Sequence, residues 1–292
     1  MKKSPGAVPV MLSVMTSLVL FCCTPSSDRG GTEPAVGTDE SGVKRIVVID
    51  DIPYREGDSA AWRLDLAMPE NFGDDLRPAL VIVHGGGWSS GSKQTRPYRS
   101  LLLDYAFKGY VTVSVDYRLI DEAPLPACIE DVKCAVRWLR AHAGEYRVDP
   151  DRIGAYGHSA GAHLAMMLAL CPPEAGLEGD GGWDEYSSGL TSVAAGSTPT
   201  ELPERFGDPV KHSPTTYVTA EAPPILLMHG TEDPICAVEM VDEFVEMLDE
   251  AGNQDVTYIR INGGNHGVVY EHFLTRTMDA MEEFFARTLQ PE

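Results

Sequence analysis

Basic residues are scarce in this chain: 23 Lys and Arg stand against 44 Asp and Glu, a formal charge of −21 over 292 residues. That balance repels nucleic acid and anionic membrane surfaces, so neither is expected as a partner. Long apolar runs are missing too. The candidate at residues 10–21 falls short of the roughly 20 residues that cross a bilayer as a helix. Cysteine is sparse, with 6 residues, no C-x-x-C pair and no Cys/His spacing that suits zinc. No zinc site and no disulfide framework is therefore expected. Cys128 and Cys134 fall on one expected helix about 9 Å apart, beyond the ~7 Å that a bridge tolerates. Together with Cys171 and Cys236 they read as small buried hydrophobes. What remains, 43% hydrophobic and 23% charged, has the composition of one large globular domain.

Lys2 and Lys3 ahead of the apolar run give residues 1–23 the layout of a secretory signal peptide. Leu20-Phe21-Cys22-Cys23 resembles a bacterial lipobox, which would lipidate Cys23; a plainly cleaved signal peptide is the alternative. Residues 24–43, rich in Ser, Thr, Gly, Pro and acids, read as a disordered linker to a catalytic domain over 44–292. The expectation is an exported protein that touches a membrane only through an anchor at Cys23.

From residue 44 onward, β-rich runs alternate with helical patterns, as in a mostly parallel sheet covered by helices. Strands are expected at 45–50, 62–67, 79–83, 110–115, 153–156, 190–195, 224–230 and 256–261. Helices are expected at 98–108, 126–142, 162–168, 237–251 and 270–288. The run Ala79-Leu80-Val81-Ile82-Val83 is apolar throughout, as a strand buried on both faces should be. Residues 172–189, rich in Gly and acids, read as a loop over the site rather than as a large cap domain.

The chemistry gathers around Gly157-His158-Ser159-Ala160-Gly161, set between a short apolar strand and a helix. Strand, G-x-S-x-G and helix are the setting of a nucleophile elbow, which lifts a strained serine to the strand's C-terminal edge. Ser159 is the candidate nucleophile. A serine hydroxyl needs a base to take its proton, and an acid to hold that base in the right tautomer. His266 follows the last strand in Gly263-Gly264-Asn265-His266-Gly267, and Asp233 follows the preceding one in Gly230-Thr231-Glu232-Asp233. Glu201, on the loop one strand earlier, competes with Asp233 for the acid's role. Tetrahedral intermediates also need amide donors for an oxyanion. His84-Gly85-Gly86-Gly87-Trp88 after the third strand offers Gly86 and Gly87, and Ala160 follows the nucleophile. Trp88 and Trp183 are candidate substrate-binding faces, since aromatic rings suit sugars. His163 reads as a packing or hydrogen-bonding residue, and His84 as a brace for its own loop.

These motifs, with Asp116-Tyr117-Arg118-Leu119, Arg137-Trp138-Leu139 and Asp149-Pro150-x-Arg152-Ile153, resemble the α/β-hydrolase superfamily, and within it the carboxylesterases related to hormone-sensitive lipase. Ser213-Pro214, and Pro223-Pro224 running into His229-Gly230-Thr231-x-Asp233, are closer to that family's secreted bacterial branch of acetyl-xylan and feruloyl esterases. The resemblance implies an α/β-hydrolase fold and a cofactor-free serine esterase. It implies the triad Ser159, Asp233 and His266, and an oxyanion hole from Gly86, Gly87 and Ala160. A short acyl ester, small or on a glycan, is the expected substrate, since residues 172–189 are too short and polar to form a lipase's apolar lid and the domain is too acidic to adsorb to anionic interfaces. An amidase, a peptidase, a lipase or an inactive binding module on the same fold are the alternatives.

Overall fold

The alternation of apolar strands with amphipathic helices builds one eight-stranded sheet with the order β1-β2-β4-β3-β5-β6-β7-β8. The computed structural model describes residues 45–70, 75–268 and 274–289. The expected signal peptide, lipobox at Cys23 and linker lie outside the described residues. In chain order the elements are β1 (Ile46–Pro53), β2 (Arg63–Pro69), β3 (Arg77–Val83), α1 (Arg96–Phe107), β4 (Val111–Val115), α2 (Ala127–Ala141), α3 (Ala143–Tyr146) and β5 (Val148–His158). Then come α4 (Ala160–Leu170), β6 (Ser192–Gly196), β7 (Ile225–Gly230), α5 (Val238–Glu250), β8 (Val256–Ile261) and α6 (Leu274–Leu289). β1 and β2 form an antiparallel pair, β2 meets β4 antiparallel, and every later pairing is parallel.

Strand periodicity splits β3 between two cores. Ala79, Val81 and Val83 face the cluster built with α2, α4 and α5, while Leu80 and Ile82 face α1 and α6. All seven β3 residues are buried, as a central strand covered on both faces requires. α4 is buried almost all round and lies under the sheet's C-terminal edge. Parallel strands all end at that edge, and their loops converge there, which is where open α/β sheets keep their sites. Between β6 and β7 the described chain forms only two 3-10 turns, Glu204–Phe206 and Pro214–Tyr217.

One expectation is corrected. The Gly- and acid-rich segment after α4 does not lie over the site; it runs along α2. The reason is a set of buried donors on that helix. Lys133 Nζ donates to Glu178 Oε1 (2.7 Å) and to the Cys171 carbonyl (2.8 Å), and Arg137 Nη1 donates to Glu178 Oε2 (2.7 Å). Arg137 Nε donates to the Gly182 carbonyl, and Arg140 to the carbonyls of Ser187 and Gly189. Buried cations need acceptors, and this segment supplies them. Trp183 is drawn along: its Nε1 donates to the Tyr54 carbonyl (2.9 Å) and its ring meets His142 edge-on. These contacts tie Trp183 to the end of α2 and to the residue after β1, and among the described residues no hydrogen bond or ring contact joins it to Ser159, His266 or Asp233.

The four cysteines Cys128, Cys134, Cys171 and Cys236 are free and buried. Among the described residues no helix is long and apolar enough to cross a membrane.

Glu178 sets a measurable stability term. Burial opposes its charge, but the hydrogen bonds and charges of Lys133 and Arg137 outweigh that and hold its carboxyl below the usual 4.5. A depressed folded value means the stabilisation is complete above about 4.5 and fades as pH falls through the folded value. Glu178→Gln leaves two buried cations short of their anion and should cost about 3 kcal/mol at pH 7. Urea unfolding of both proteins at pH 7 and at pH 4 checks this, with the difference shrinking at the lower pH.

Candidate active site

The turn from β5 into α4 is set by two glycines in backbone contact. A Cβ on Gly157 would stand 2.1 Å from the Gly161 carbonyl oxygen, and one on Gly161 would stand 2.2 Å from that of Val83. With strand and helix this close, Ser159 takes φ 56° and ψ −123°, a conformation costly for a residue with a side chain. Its amide donates to the Gly196 carbonyl of β6 (2.9 Å), which fixes the turn from the neighbouring strand.

Sheet order then brings the other groups together. β7 and β8 end beside one another and carry Asp233 and His266 on the loops that follow. Ser159 Oγ donates to His266 Nε2 (2.9 Å), and His266 Nδ1 donates to Asp233 Oδ2 (2.7 Å). Asp233 is built to stay charged. Its other oxygen accepts the amides of Ile235 (2.8 Å) and Cys236 (3.0 Å). Burial alone would raise its pKa, but these amides and His266 hold it below the ordinary value. His229 Nε2 donates to the Cys236 carbonyl (2.9 Å) and fastens the same turn. Glu201 is exposed, and no hydrogen bond joins it to the histidine.

On the other side of β5, β3 delivers the glycine loop. The Tyr117 hydroxyl donates to the His84 carbonyl (2.8 Å), the Gly85 amide donates to the Tyr98 hydroxyl (2.6 Å), and the His84 ring stacks on Tyr117 at 4.2 Å. Gly86 and Gly87, at φ 125° and 61°, are exposed, and their amides meet no acceptor among the described residues. The amide of Ala160, first residue of α4, is likewise unengaged, as helix geometry demands of a first turn. The three amides expected to face an oxyanion are therefore uncommitted donors beside Ser159. A serine, an imidazole, a carboxylate and free amides in this order can transfer an acyl group through a covalent intermediate.

Trp88 is not the open face expected of it. It is 5% exposed, with its ring edge-on to His163 and 4.8 Å from Phe206. Its Nε1 donates to His163 Nδ1 (3.3 Å), and His163 Nε2 donates to the His212 carbonyl (2.7 Å). Indole is a donor only, so His163 is the neutral tautomer protonated on Nε2. Burial pushes its pKa down to about 4, in keeping with that.

Two positioning residues escape notice in the sequence. His158 Nε2 donates to the backbone carbonyl of His266 (2.7 Å), and Ser197 Oγ donates to the same oxygen (3.0 Å). His158 is neutral, its pKa pushed to about 4 by burial. Its place as the variable residue of G-x-S-x-G is the one signal that could have flagged it; Ser197, one residue past β6, carries none.

A twisted, mostly parallel sheet with a serine elbow under its C-terminal edge defines an α/β-hydrolase. The comparisons narrow the class. A family model described as BD-FAE matches residues 64–205. Esterase LipC of Mycobacterium tuberculosis is 32% identical over 237 residues, covering 72% of this chain and 58% of its own length. Esterase 2 of Thermogutta terrifontis, solved phosphorylated by paraoxon, is 30% identical with a TM-score of 0.75, covering 84% of this chain and 96% of its own. The same esterase solved with butyrate bound gives 27% and 0.72. The chain belongs to the carboxylesterases of the α/β-hydrolase superfamily. It spans a little over half the length of the curated relatives it matches, at 58%, 54% and 56% for three of them.

The elbow has little tolerance. Gly157→Ala must separate β5 from α4 or fold differently there, since the obstacle is backbone rather than a mobile side chain. The expected loss is about 3 kcal/mol, read as a lower urea midpoint, with activity falling in the protein that remains folded.

Proposed function

We propose that the protein is a serine carboxylesterase that cleaves short-chain acyl esters, with Ser159, His266 and Asp233 as its catalytic groups. One observation carries the reading: an unbroken line of hydrogen bonds, 2.9 Å and 2.7 Å long, from the strained serine through the imidazole to a buried carboxylate. Ser159 Oγ attacks the ester carbonyl carbon while its proton passes to His266 Nε2. The carbonyl's electron pair moves to oxygen, which takes hydrogen bonds from Gly86, Gly87 and Ala160. When the tetrahedral intermediate collapses, the bond to the alcohol breaks and His266 returns the proton to the departing oxygen. Water repeats the steps on the acyl-enzyme and frees the acid and the serine. Asp233 holds the proton of Nδ1 in place throughout and balances the imidazolium.

Two features of relatives support this reading: Thermogutta esterase 2 has been solved phosphorylated by paraoxon, and with butyrate and with propionate bound. The motif resemblance points to acetyl or feruloyl groups on polysaccharide as the natural class. The aromatic argument for a sugar face loses its support, because Trp88 is packed and Trp183 is engaged by His142 and the Tyr54 carbonyl.

Ser159→Ala should fold normally yet lose nearly all turnover of p-nitrophenyl acetate and all labelling by a fluorophosphonate. Asp233→Asn keeps the geometry but favours the wrong tautomer, at a cost of up to about 10⁴-fold in kcat. Glu201→Gln should leave kcat within about threefold, a ceiling set by its exposure. Substantial turnover by a well-folded Ser159→Ala protein would sink the reading, and a larger loss in Glu201→Gln than in Asp233→Asn would move the acid one strand earlier.

Chain length gives the second check. In a p-nitrophenyl series of acetyl, butyryl, octanoyl and palmitoyl esters, kcat/KM should be highest at acetyl or butyryl. It should fall shallowly, since one methylene in an apolar pocket is worth only about 1–3 kcal/mol. A maximum at octanoyl or beyond, with activation at an emulsion surface, would make the protein a lipase.

A further inference from the structure

The reaction fixes which way an ester must lie. The leaving oxygen takes its proton from His266 Nε2, so the alcohol part lies at His266. The carbonyl oxygen lies against Gly86, Gly87 and Ala160. The acyl chain therefore points away from His266, toward the side of β5 that faces β3. Sheet order agrees: β6, β7 and β8 follow β5 on one side, and β3 with its glycine loop lies on the other.

What stands on that side is the stack of His163, Trp88 and Phe206. Trp88 directly follows the amide donor Gly87 in sequence, and His163 lies four residues beyond Ser159, one turn along α4. Phe206, half-buried, packs on the buried Trp88, with rings 4.8 Å apart at 51°. Phe206 belongs to the segment after β6, which has crossed over α4 to get there. The crossing is tied to α4 where His163 Nε2 donates to the His212 carbonyl (2.7 Å), and the segment is closed on itself where the Leu202 amide donates to Ser213 Oγ (2.9 Å). The Arg205 guanidinium lies 4.7 Å over the Phe206 ring.

We propose that Phe206, seated on Trp88 and held by His163 and His212, is the wall that ends the acyl pocket and restricts this site to small acyl groups. The inference rests on the ester-hydrolase reading above and sharpens it: acetyl, propionyl and butyryl esters fit, and feruloyl esters do not. The wall acts on the acyl side alone. Its removal changes selection among acyl groups and not among alcohols.

The test compares wild type, Phe206→Ala and Phe206→Trp on p-nitrophenyl acetate, butyrate and octanoate, on methyl ferulate, and on 1-naphthyl acetate. In Phe206→Ala the ratio of kcat/KM for octanoate to that for acetate should rise by about tenfold or more, and methyl ferulate should gain in step. In Phe206→Trp the butyrate-to-acetate ratio should fall. The ratio of naphthyl to p-nitrophenyl acetate should stay constant in both. Phe206→Leu gives the same direction as Phe206→Ala should the smaller residue prevent folding. Unchanged acyl ratios in variants that still cleave p-nitrophenyl acetate overturn the wall while ester hydrolysis stands. Failure of the ester reading shows itself elsewhere, as wild-type turnover that is absent or indifferent to Ser159→Ala.

Discussion

Backbone contact between Gly157 and Gly161 is the constraint on which the site depends. It lets α4 start directly beneath the end of β5, and it leaves Ser159 no helical or extended conformation to adopt. Holding a serine at φ 56° costs on the order of 1–3 kcal/mol. The surroundings supply that: the Ser159 amide is bonded to β6, and α4 is nearly all apolar and buried. Once the serine is fixed, the other groups need only follow from strand order. β3 and β6 flank β5, and β7 and β8 come next, so loops distant in sequence end within a few ångströms of one hydroxyl.

Around the one histidine that touches the serine stand three buried neutral ones, His84, His158 and His163, each with a pKa pushed down to about 4 by burial. Each hydrogen-bonds a backbone carbonyl: Gly85 in the glycine loop, His266 itself, and His212 in the segment after β6. A neutral imidazole is well suited to this work. It is rigid, it donates without bringing a charge into the core, and its second nitrogen can accept from elsewhere, as His163 does from Trp88. Because these rings stay neutral well below pH 7, their geometry does not change around neutrality. His158 and Ser197 together remove the freedom of the His266 loop, so the imidazole is held from its backbone as well as by Asp233.

What could be read from the chain was local. The elbow, the glycine loop and the order of serine, acid and base each announce themselves through a few neighbouring residues beside an apolar strand. What could not be read was non-local. Residues 172–189 have the composition of a loop, and composition does not say which surface a loop covers. That depends on Lys133 and Arg137, one turn apart on α2, both nearly fully buried and both needing Glu178. Trp88 and Trp183 failed as open faces for a related reason: a tryptophan in a loop can meet a ligand or finish a core. Here the indole N–H groups found His163 and the Tyr54 carbonyl. Phe206 lay beyond sequence reading altogether, because its contact with Trp88 requires the chain after β6 to double back across α4.

On the proposed reading, that doubling back lets a site without a helical cap between β6 and β7 select its substrate. A lid would add apolar surface from outside. On the proposed reading the selecting surface is Phe206, seated on Trp88, whose own backbone continues the glycine loop. Trp88 thus continues the loop of the proposed oxyanion donors and packs against the proposed wall. A bulky acyl chain pressing on Phe206 would press through Trp88 on Gly86 and Gly87, and displacing an oxyanion donor costs about 10²–10³ in kcat. Steric mismatch at the wall is then felt in the transition state more than in ground-state binding. Selectivity of that kind appears in kcat as well as in KM, as expected of an enzyme that spends its binding energy on the transition state.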